Sequence, residues 1–351
     1  MVEWDLHYVP MLWKTWRYYR DGALLREVWP AAVKVIEYYL GQIDETGLVV
    51  NNGGRHISDW PPYYRKVDQD GKYLTVQNLL FLDDLRKGAD LAAQVGRDDL
   101  RARWTDAADL LAAAINRDLW DDQVGAYIDC SGSKQRRTGV SALALYCDIV
   151  PKDRRQRVID YIERDDKIFA SIYLTYFGLD ALYRYDQGAF VNRIINTTKW
   201  PGWGYMMKKG DGTVWEDWTN FASRAHPFNA HLAGTFIKRV AGIDLTSDMI
   251  VIDPHLQGLD WVKASVDSLG GRVSVEWRRE GAGLTLALEV PAGSQAMVFL
   301  PGGIRQVTEG RTELSPRGSV EGVTMVAGRA DGILLEVKSG RYNFRAEYQK
   351  L

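Results

Sequence analysis

The sequence is poor in cysteine and has no net charge to speak of: Cys130 and Cys147 are the only thiols, and 44 Lys and Arg stand against 46 Asp and Glu. Two thiols cannot enclose a metal ion by themselves, and Cys147 falls within a helical pattern, so both read as free thiols and neither a disulfide framework nor a metal centre is expected. Without a basic field there is nothing to draw a nucleic acid, and a small neutral ligand suits the balance better than a polyanion. No apolar run reaches the roughly 18 residues of a membrane span. Met1 is followed by Glu3, Asp5 and aromatics rather than by the basic and then apolar stretch of a secretion signal. Neither a membrane partner nor a cofactor is expected, and the location is cytoplasmic if Met1 is the native start.

What the chain has in excess is aromatic surface. There are 13 Trp and 18 Tyr, and eleven of the Trp residues lie before residue 245. Aromatic rings pack against flat C–H faces, so an aromatic cluster beside carboxylates suits a carbohydrate cleft; a Trp-rich core is the alternative. From Tyr8 onward apolar residues recur at helical spacing between short loops, and the spacing predicts helices over 8–21, 24–40, 75–95, 98–119, 139–149, 152–164, 170–185, 187–196 and 220–241. In the fourth, Leu100, Trp104, Ala107, Leu111, Ala114 and Ile115 form one face. Thr75 is expected to cap the third helix, and Gly22, Gly41, Gly96 and Gly242 to mark helix ends. After Gly242 the period changes from 3.6 to 2, which divides the chain into a helical domain over 1–243 and a β domain over 244–351. Val273, Val275 and Trp277, then Leu284, Leu286, Leu288 and Val290, then Tyr342, Phe344 and Tyr348 alternate as in a small antiparallel sandwich.

Three long loops, 44–74, 118–138 and 197–220, each carry Trp and a carboxylate. The densest constellation runs from Trp200 through Trp203-Gly204-Tyr205-Met206 to Trp215-Glu216-Asp217-Trp218 and on to Ser223 and His226. Indoles on both sides of Glu216 can desolvate its carboxyl and tune it as a general base, while Asp217 suits the N-terminus of a following helix. Asp59-Trp60, followed by Pro61-Pro62, pairs a carboxylate that can accept sugar hydroxyls with an indole that can pack on the ring. Trp120, beside Asp121 and Asp122, repeats the pairing, although two aspartates near a glycine also read as a plain turn.

These segments together resemble the catalytic domain of bacterial α-L-rhamnosidases of glycoside hydrolase family 78. The matching residues run from Trp4 to Pro301 and include Tyr18-Tyr19, Ala23-Leu24-Leu25-Arg26, Pro30, Gly47-Leu48, Asp59-Trp60, Trp203-Gly204-Tyr205-Met206, Trp215-Glu216-Asp217-Trp218, Ser223, His226 and Ala241-Gly242-Ile243. The resemblance implies a mainly α fold, an (α/α) six-hairpin toroid incomplete at its N-terminus, followed by a small antiparallel β-sandwich. It also implies Glu216 as general base and Asp59, Trp60, Trp203 and His226 as residues around the rhamnose, to which the aromatic reading adds Trp120 and Trp218. Such enzymes invert, with an acid and a base about 6.5–9.5 Å apart. The family's acid lies in an Asp-Cys-Pro segment that has no counterpart here. Asp129-Cys130 lacks the proline and lies too far downstream, Gly212-Thr213-Val214 replaces the family's Thr-Thr, and Ala225 replaces a polar residue before the histidine.

Three functional readings follow. The first is a rhamnose-removing inverting glycosidase acting on a small carbohydrate substrate. The second is a non-catalytic or truncated sugar-binding or assembly protein of the same ancestry, with a homo-oligomer or partner chain completing the barrel. The third keeps hydrolysis and recruits Asp59 or Asp129 as the acid.

Overall fold

The computed structural model describes residues 2–51, 53–54, 56, 66–210, 212–219, 223–245, 249–281, 283–316, 320–329 and 332–348. They form two compact units, one of Met1–Trp16 and Arg20–His231, the other of Arg17–Tyr19 and Leu232–Leu351. Both cysteines are buried free thiols.

The first unit is built from helices α1 (Val2–Asp5), α2 (Tyr8–Tyr19), α3 (Gly22–Leu40), α4 (Thr75–Gln94) and α5 (Asp98–Asp118), then α6 (Thr138–Tyr146), α7 (Lys152–Glu163), α8 (Ile172–Arg184), α9 (Gly188–Ile195) and α10 (Trp203–Lys208). A two-stranded ribbon, β1 (Trp120–Asp121) with β2 (Ala126–Tyr127), lies between α5 and α6. Burial sorts the helices into two classes. Along α6, Thr138 through Leu145 are all buried, and α4 and α8 are buried on most sides, whereas α5 and α7 bury a single stripe. A helix that is apolar all round must sit inside its neighbours, and one with a stripe must cover them. The stripe of α5 uses Ala108 in place of the expected Ala107. Consecutive helices α4/α5 and α6/α7 therefore pair as inner and outer members, with α6 packed between α4 and α8 and α9 against α8.

Three local expectations are corrected. Thr75 is the first residue of α4 rather than its cap, and its hydroxyl donates to the Ile128 carbonyl at 2.6 Å. Gly22 opens α3 behind Asp21, whose carboxylate accepts from the Ala23 and Leu24 amides; the preceding helix stops at Arg20, which is left-handed at φ 52°. The continuous helix expected over 220–241 does not form. His226 precedes Pro227, and the proline ring drives the residue before it out of the helical region, here to φ −119° and ψ 105°. The segment instead restarts as a 3-10 turn (Pro227–Ala230), a short α11 (His231–Thr235) and a π turn (Phe236–Val240).

In the second unit β3 (Ile243–Asp244), β4 (Ile250–Ile252), β5 (Trp261–Ser268), β6 (Gly271–Glu280), β7 (Gly283–Pro301), β8 (Ile304–Glu309), β9 (Thr312–Glu313), β10 (Val323–Arg329) and β11 (Gly332–Tyr348) form a nine-stranded sheet. The long strands β7 and β11 pair antiparallel along nearly their whole length, with a register shift between Lys338 and Gly340. The early part of β7 pairs with β6, and β6 with β5; the late part pairs with β4. The sheet is not purely antiparallel, because β4 runs parallel to β7. Parallel neighbours need a crossover, and the β5–β6 hairpin supplies it. The alternating residues Val273, Val275, Trp277, Leu284, Leu286, Leu288, Val290, Tyr342 and Phe344 all enter one core. The Trp277 indole is fully buried and donates to the Val240 carbonyl at 3.0 Å.

The closeness of α6 and α8 rests on missing side chains. A Cβ on Gly178 would lie 2.4 Å from the Phe169 ring and 2.9 Å from the Ala142 Cβ. Gly178→Ala is therefore expected to destabilise the folded chain by about 1–3 kcal/mol through overpacking, despite the better helix propensity of alanine. Thermal unfolding checks this, and an unchanged or raised Tm would show that the two helices are free to move apart.

Candidate active site

A cavity of about 620 Å³ opens in the first unit. Helix faces supply most of its wall: Trp4, His7, Pro10 and Lys14 from α1 and α2, Leu80, Asp83 and Lys87 from α4, and Tyr173, Tyr176 and Phe177 from α8. The α4 and α8 sets are each spaced by three or four residues and so form one stripe of one helix, while Trp4, His7, Pro10 and Lys14 run from α1 through the turn at His7 into α2. The remaining wall is the loop before α11, which contributes Glu216, His226, Pro227 and, at the helix start, His231.

That loop is folded back on itself. The Glu216 amide donates to the Ser223 carbonyl at 2.8 Å and the His226 amide to the Val214 carbonyl at 2.9 Å. The Glu216 carboxylate is mostly buried; it accepts from the Ser223 amide at 3.1 Å and lies 3.8 Å from His226 Nδ1. Asp217 turns the other way, is buried, and closes a tight turn by accepting from the Thr219 amide and hydroxyl at 2.5 and 2.7 Å. No helix follows it directly, so its expected capping role becomes a turn role.

Asn229 fixes the loop from behind. Fully buried, it donates to the Trp215 carbonyl at 3.0 Å and accepts the Trp203 indole N–H at 3.0 Å. Trp203 meets Trp218 edge to face at 5.0 Å, and the Trp218 indole donates to the Ala170 carbonyl at 3.1 Å. Trp203, Trp215 and Trp218 are thus buried scaffolding. A buried ring cannot offer its face to a sugar, so these indoles stand behind the cavity wall and not on it.

Burial also sets the charge state of the wall. His7 and His231 are both pushed down to about 4, because neighbouring rings and helix walls exclude the water that would solvate an imidazolium; for His7, Glu3 and Asp83 oppose the shift. His7 shares a hydrogen bond of 2.7 Å with the Tyr173 hydroxyl, and His231 meets Trp203 and Tyr176 edge to face. Lys14 donates to the Tyr176 hydroxyl at 2.7 Å, and Lys87 is ion-paired with Asp83. Just behind, Asp84 is fully buried with neither oxygen hydrogen-bonded among the described residues, and burial holds its carboxyl far above the usual range. His56 ties α1 to Asn51, with Nδ1 3.0 Å from Glu3 and Nε2 3.1 Å from Asn51.

Residues 1–240 match the family model described as the bacterial alpha-L-rhamnosidase 6 hairpin glycosidase domain, and residues 248–315 match the bacterial alpha-L-rhamnosidase C-terminal domain. The chain belongs to the bacterial alpha-L-rhamnosidase family. A relative from Streptomyces avermitilis, itself named an alpha-L-rhamnosidase, is 24% identical over 314 residues, covering 84% of this chain and 29% of its own length. Among solved structures, the alpha-L-rhamnosidase of Dictyoglumus thermophilum superposes with a TM-score of 0.84 at 23% identity, over 99% of this chain and 40% of that one. The Streptomyces avermitilis enzyme complexed with L-rhamnose superposes at 0.73 and 21% identity, over 94% and 31%. The chain thus spans well under half the length of these relatives.

Of the residues expected from the sequence, Glu216 and His226 meet on the cavity wall, and Trp203 and Trp218 lie behind it. Asp59 and Trp60 lie outside the described residues. Trp120 sits in the β1–β2 ribbon beneath the guanidinium groups of Arg154 and Arg157, 4.8 and 5.7 Å from its ring, and does not line the cavity. Asp129 does not line it either. It is buried, accepts the Asp68 and Arg137 amides at 2.9 and 2.6 Å, and ties two loops together. Sequence reasoning missed Trp4, His7, Tyr173, Tyr176, Asp83 and His231. The available signal was polar and aromatic residues at helical spacing within otherwise apolar helices.

Because the folded-state value of His231 lies near 4 rather than 6.5, the unfolded chain takes up the extra proton, and stability falls as the pH drops through that window. His231→Gln cannot take up that proton. It should cost stability at pH 7 but lose part of that penalty by pH 5, the gap to wild type narrowing by about 1–2 kcal/mol in urea unfolding. A gap independent of pH would contradict a neutral buried imidazole.

Proposed function

We propose that this chain carries the base side of an inverting α-L-rhamnosidase site, with Glu216 polarising the attacking water and His226 orienting the sugar. The observation that carries the reading is the Glu216 carboxylate itself, held by the Ser223 amide, 3.8 Å from His226 and facing an aromatic cavity. A general base needs that placement, fixed by backbone and open to a water on the reacting side. Terminal α-L-rhamnose is the proposed sugar; the Streptomyces avermitilis neighbour is complexed with L-rhamnose and the Klebsiella oxytoca neighbour has rhamnose bound. In this reading Trp4, His7 and Tyr173 take the ring-facing role, while Trp203 and Trp218 stiffen the wall from behind. The helix pairs of the first unit are an arc of a six-hairpin toroid, and the bent β7–β11 pair folds the sheet of the second unit into a sandwich.

An inverting pair also needs an acid. The other carboxylate among the described lining residues is Asp83, and it is engaged by Lys87. With Asp129 tied between loops, the described lining residues offer no second carboxylate free for that step. This supports a second reading, a sugar-binding or assembly protein whose site is completed by another chain. It is favoured by one further observation: Trp4 and Met11, in the first two helices, are 57% and 58% exposed.

Hydrolysis of an aryl α-L-rhamnoside separates the two. The glycosidase reading expects turnover by wild type and a loss of about a hundredfold or more in Glu216→Gln. Turnover unchanged in that variant would sink Glu216 as base. An inert wild type whose Tm still rises with L-rhamnose would favour the binding reading.

A further inference from the structure

The outward face of the second unit's sheet holds a trough of about 460 Å³ that the cavity chemistry does not use. Register places its parts. Lys263, Glu276, Ala287 and Asn343 lie side by side across β5, β6, β7 and β11, and Ser265, Ser274, Glu289 and Arg341 form the next row. All of them point away from the core, because their strand neighbours Val262, Ala264, Val275, Trp277, Leu286, Leu288, Tyr342 and Phe344 pack into it. Long side chains occupy the β5–β6 half of the first row and the β7–β11 half of the second, so Ser265, Ser274, Ala287 and Asn343 make a floor and the charged residues make walls.

The walls are neutralised in place. Lys263 pairs with Glu276 at 2.9 Å, Arg341 with Glu289 at 3.0 Å, and Arg272 reaches Asp267 at 3.6 Å. Ser274 donates to Glu289 at 3.2 Å. The Ser265 hydroxyl and Asn343 amide side chains carry no hydrogen bond among the described residues and face the open trough. One row further along the same face, Trp261 is 56% exposed and stands opposite Arg278, whose guanidinium lies 5.8 Å from its ring.

We infer that this trough is a saccharide-holding site for a neutral, polyhydroxylated chain, with Trp261 as the stacking platform and Asn343, Ser265 and the Arg341–Glu289 pair as hydroxyl partners. The size lies within the range of about 300–1,000 Å³ usual for small-ligand sites. Its chemistry excludes the other classes. An apolar ligand would strand the charged walls, and a polyanion would find Lys263, Arg272 and Arg341 already paired with carboxylates, whereas paired carboxylates and guanidinium groups can each add a hydroxyl without losing their partner. An exposed indole beside such groups offers the flat apolar surface that a sugar ring's C–H face needs. The site lies in a different unit from Glu216 and owes nothing to the assignment of the base.

Native electrophoresis of the full chain through gels cast with galactomannan, xyloglucan or polygalacturonate tests this. The expected result is retardation in at least one neutral-glycan gel relative to a glycan-free gel, lost in Trp261→Ala, weakened in Asn343→Ala and retained in Glu216→Gln. All three substituted positions keep the folded core, and unchanged Tm values would establish that. The inference is overturned by migration unaffected by either neutral glycan, by retardation confined to polygalacturonate, or by retardation that survives Trp261→Ala but disappears in Glu216→Gln. The last outcome would assign glycan binding to the cavity and leave the reading of Glu216 intact.

Discussion

A single buried amide organises the wall that bears Glu216. Asn229 has no access to water, so each of its hydrogen-bonding groups must find a partner inside the protein. Its N–H groups take the Trp215 carbonyl and its oxygen takes the Trp203 indole, which locks the residue before Glu216 to the start of α10. From there the constraint spreads through Trp203 to Trp218 and on to the Ala170 carbonyl beside α8. The consequence is directional: Trp215, Asp217 and Trp218 are turned inward, and Glu216, between them, is left facing the cavity. Leaving a buried donor or acceptor unmatched costs about 1–3 kcal/mol, so slippage of this loop is opposed at several points at once.

The same exclusion of water explains the electrostatics of the cavity. Its wall holds ring systems and neutral imidazoles, with Lys87 and Asp83 balancing each other and the Lys14 ammonium set against the Tyr176 hydroxyl. In such surroundings a carboxylate on the wall acts through a medium that screens poorly, which strengthens its pull on a bound water or hydroxyl. Asp84, buried without hydrogen-bond partners among the described residues, shows the other side of that environment, because burial pushes its carboxyl well above the usual carboxylate range.

Much of the architecture was legible in the sequence, for a physical reason. The helices up to residue 195 announce themselves because each buries a face, and burial writes a period of three to four into the residues. The strands of the second unit do so with a period of two. Legibility failed where a local rule overrode the pattern, as at His226, whose proline neighbour forbids the helix that the flanking residues favour. The site was half legible. Glu216 and His226 stood out by chemistry, yet the indoles beside Glu216 suggested an open cleft when they are buried behind it. Neighbours in a loop can face opposite ways, and sequence adjacency does not say which side faces the cavity. Trp4, His7, Tyr173 and His231 passed unnoticed, since a stripe of polar and aromatic residues on one helix becomes a wall only when other helices face it.

The central claim is that the wall bearing Glu216 is the sugar-facing surface and the neighbouring indoles are its support. A crystal structure of this chain soaked in L-rhamnose tests it most directly. The account predicts a sugar in the cavity between Glu216, His226 and the stripe of Trp4, His7 and Tyr173, with the Glu216 carboxylate within about 2.6–3.2 Å of a sugar hydroxyl or of a water bridging to the ring. A sugar stacked on Trp203 or Trp218, or bound where Glu216 cannot reach it, would contradict the account.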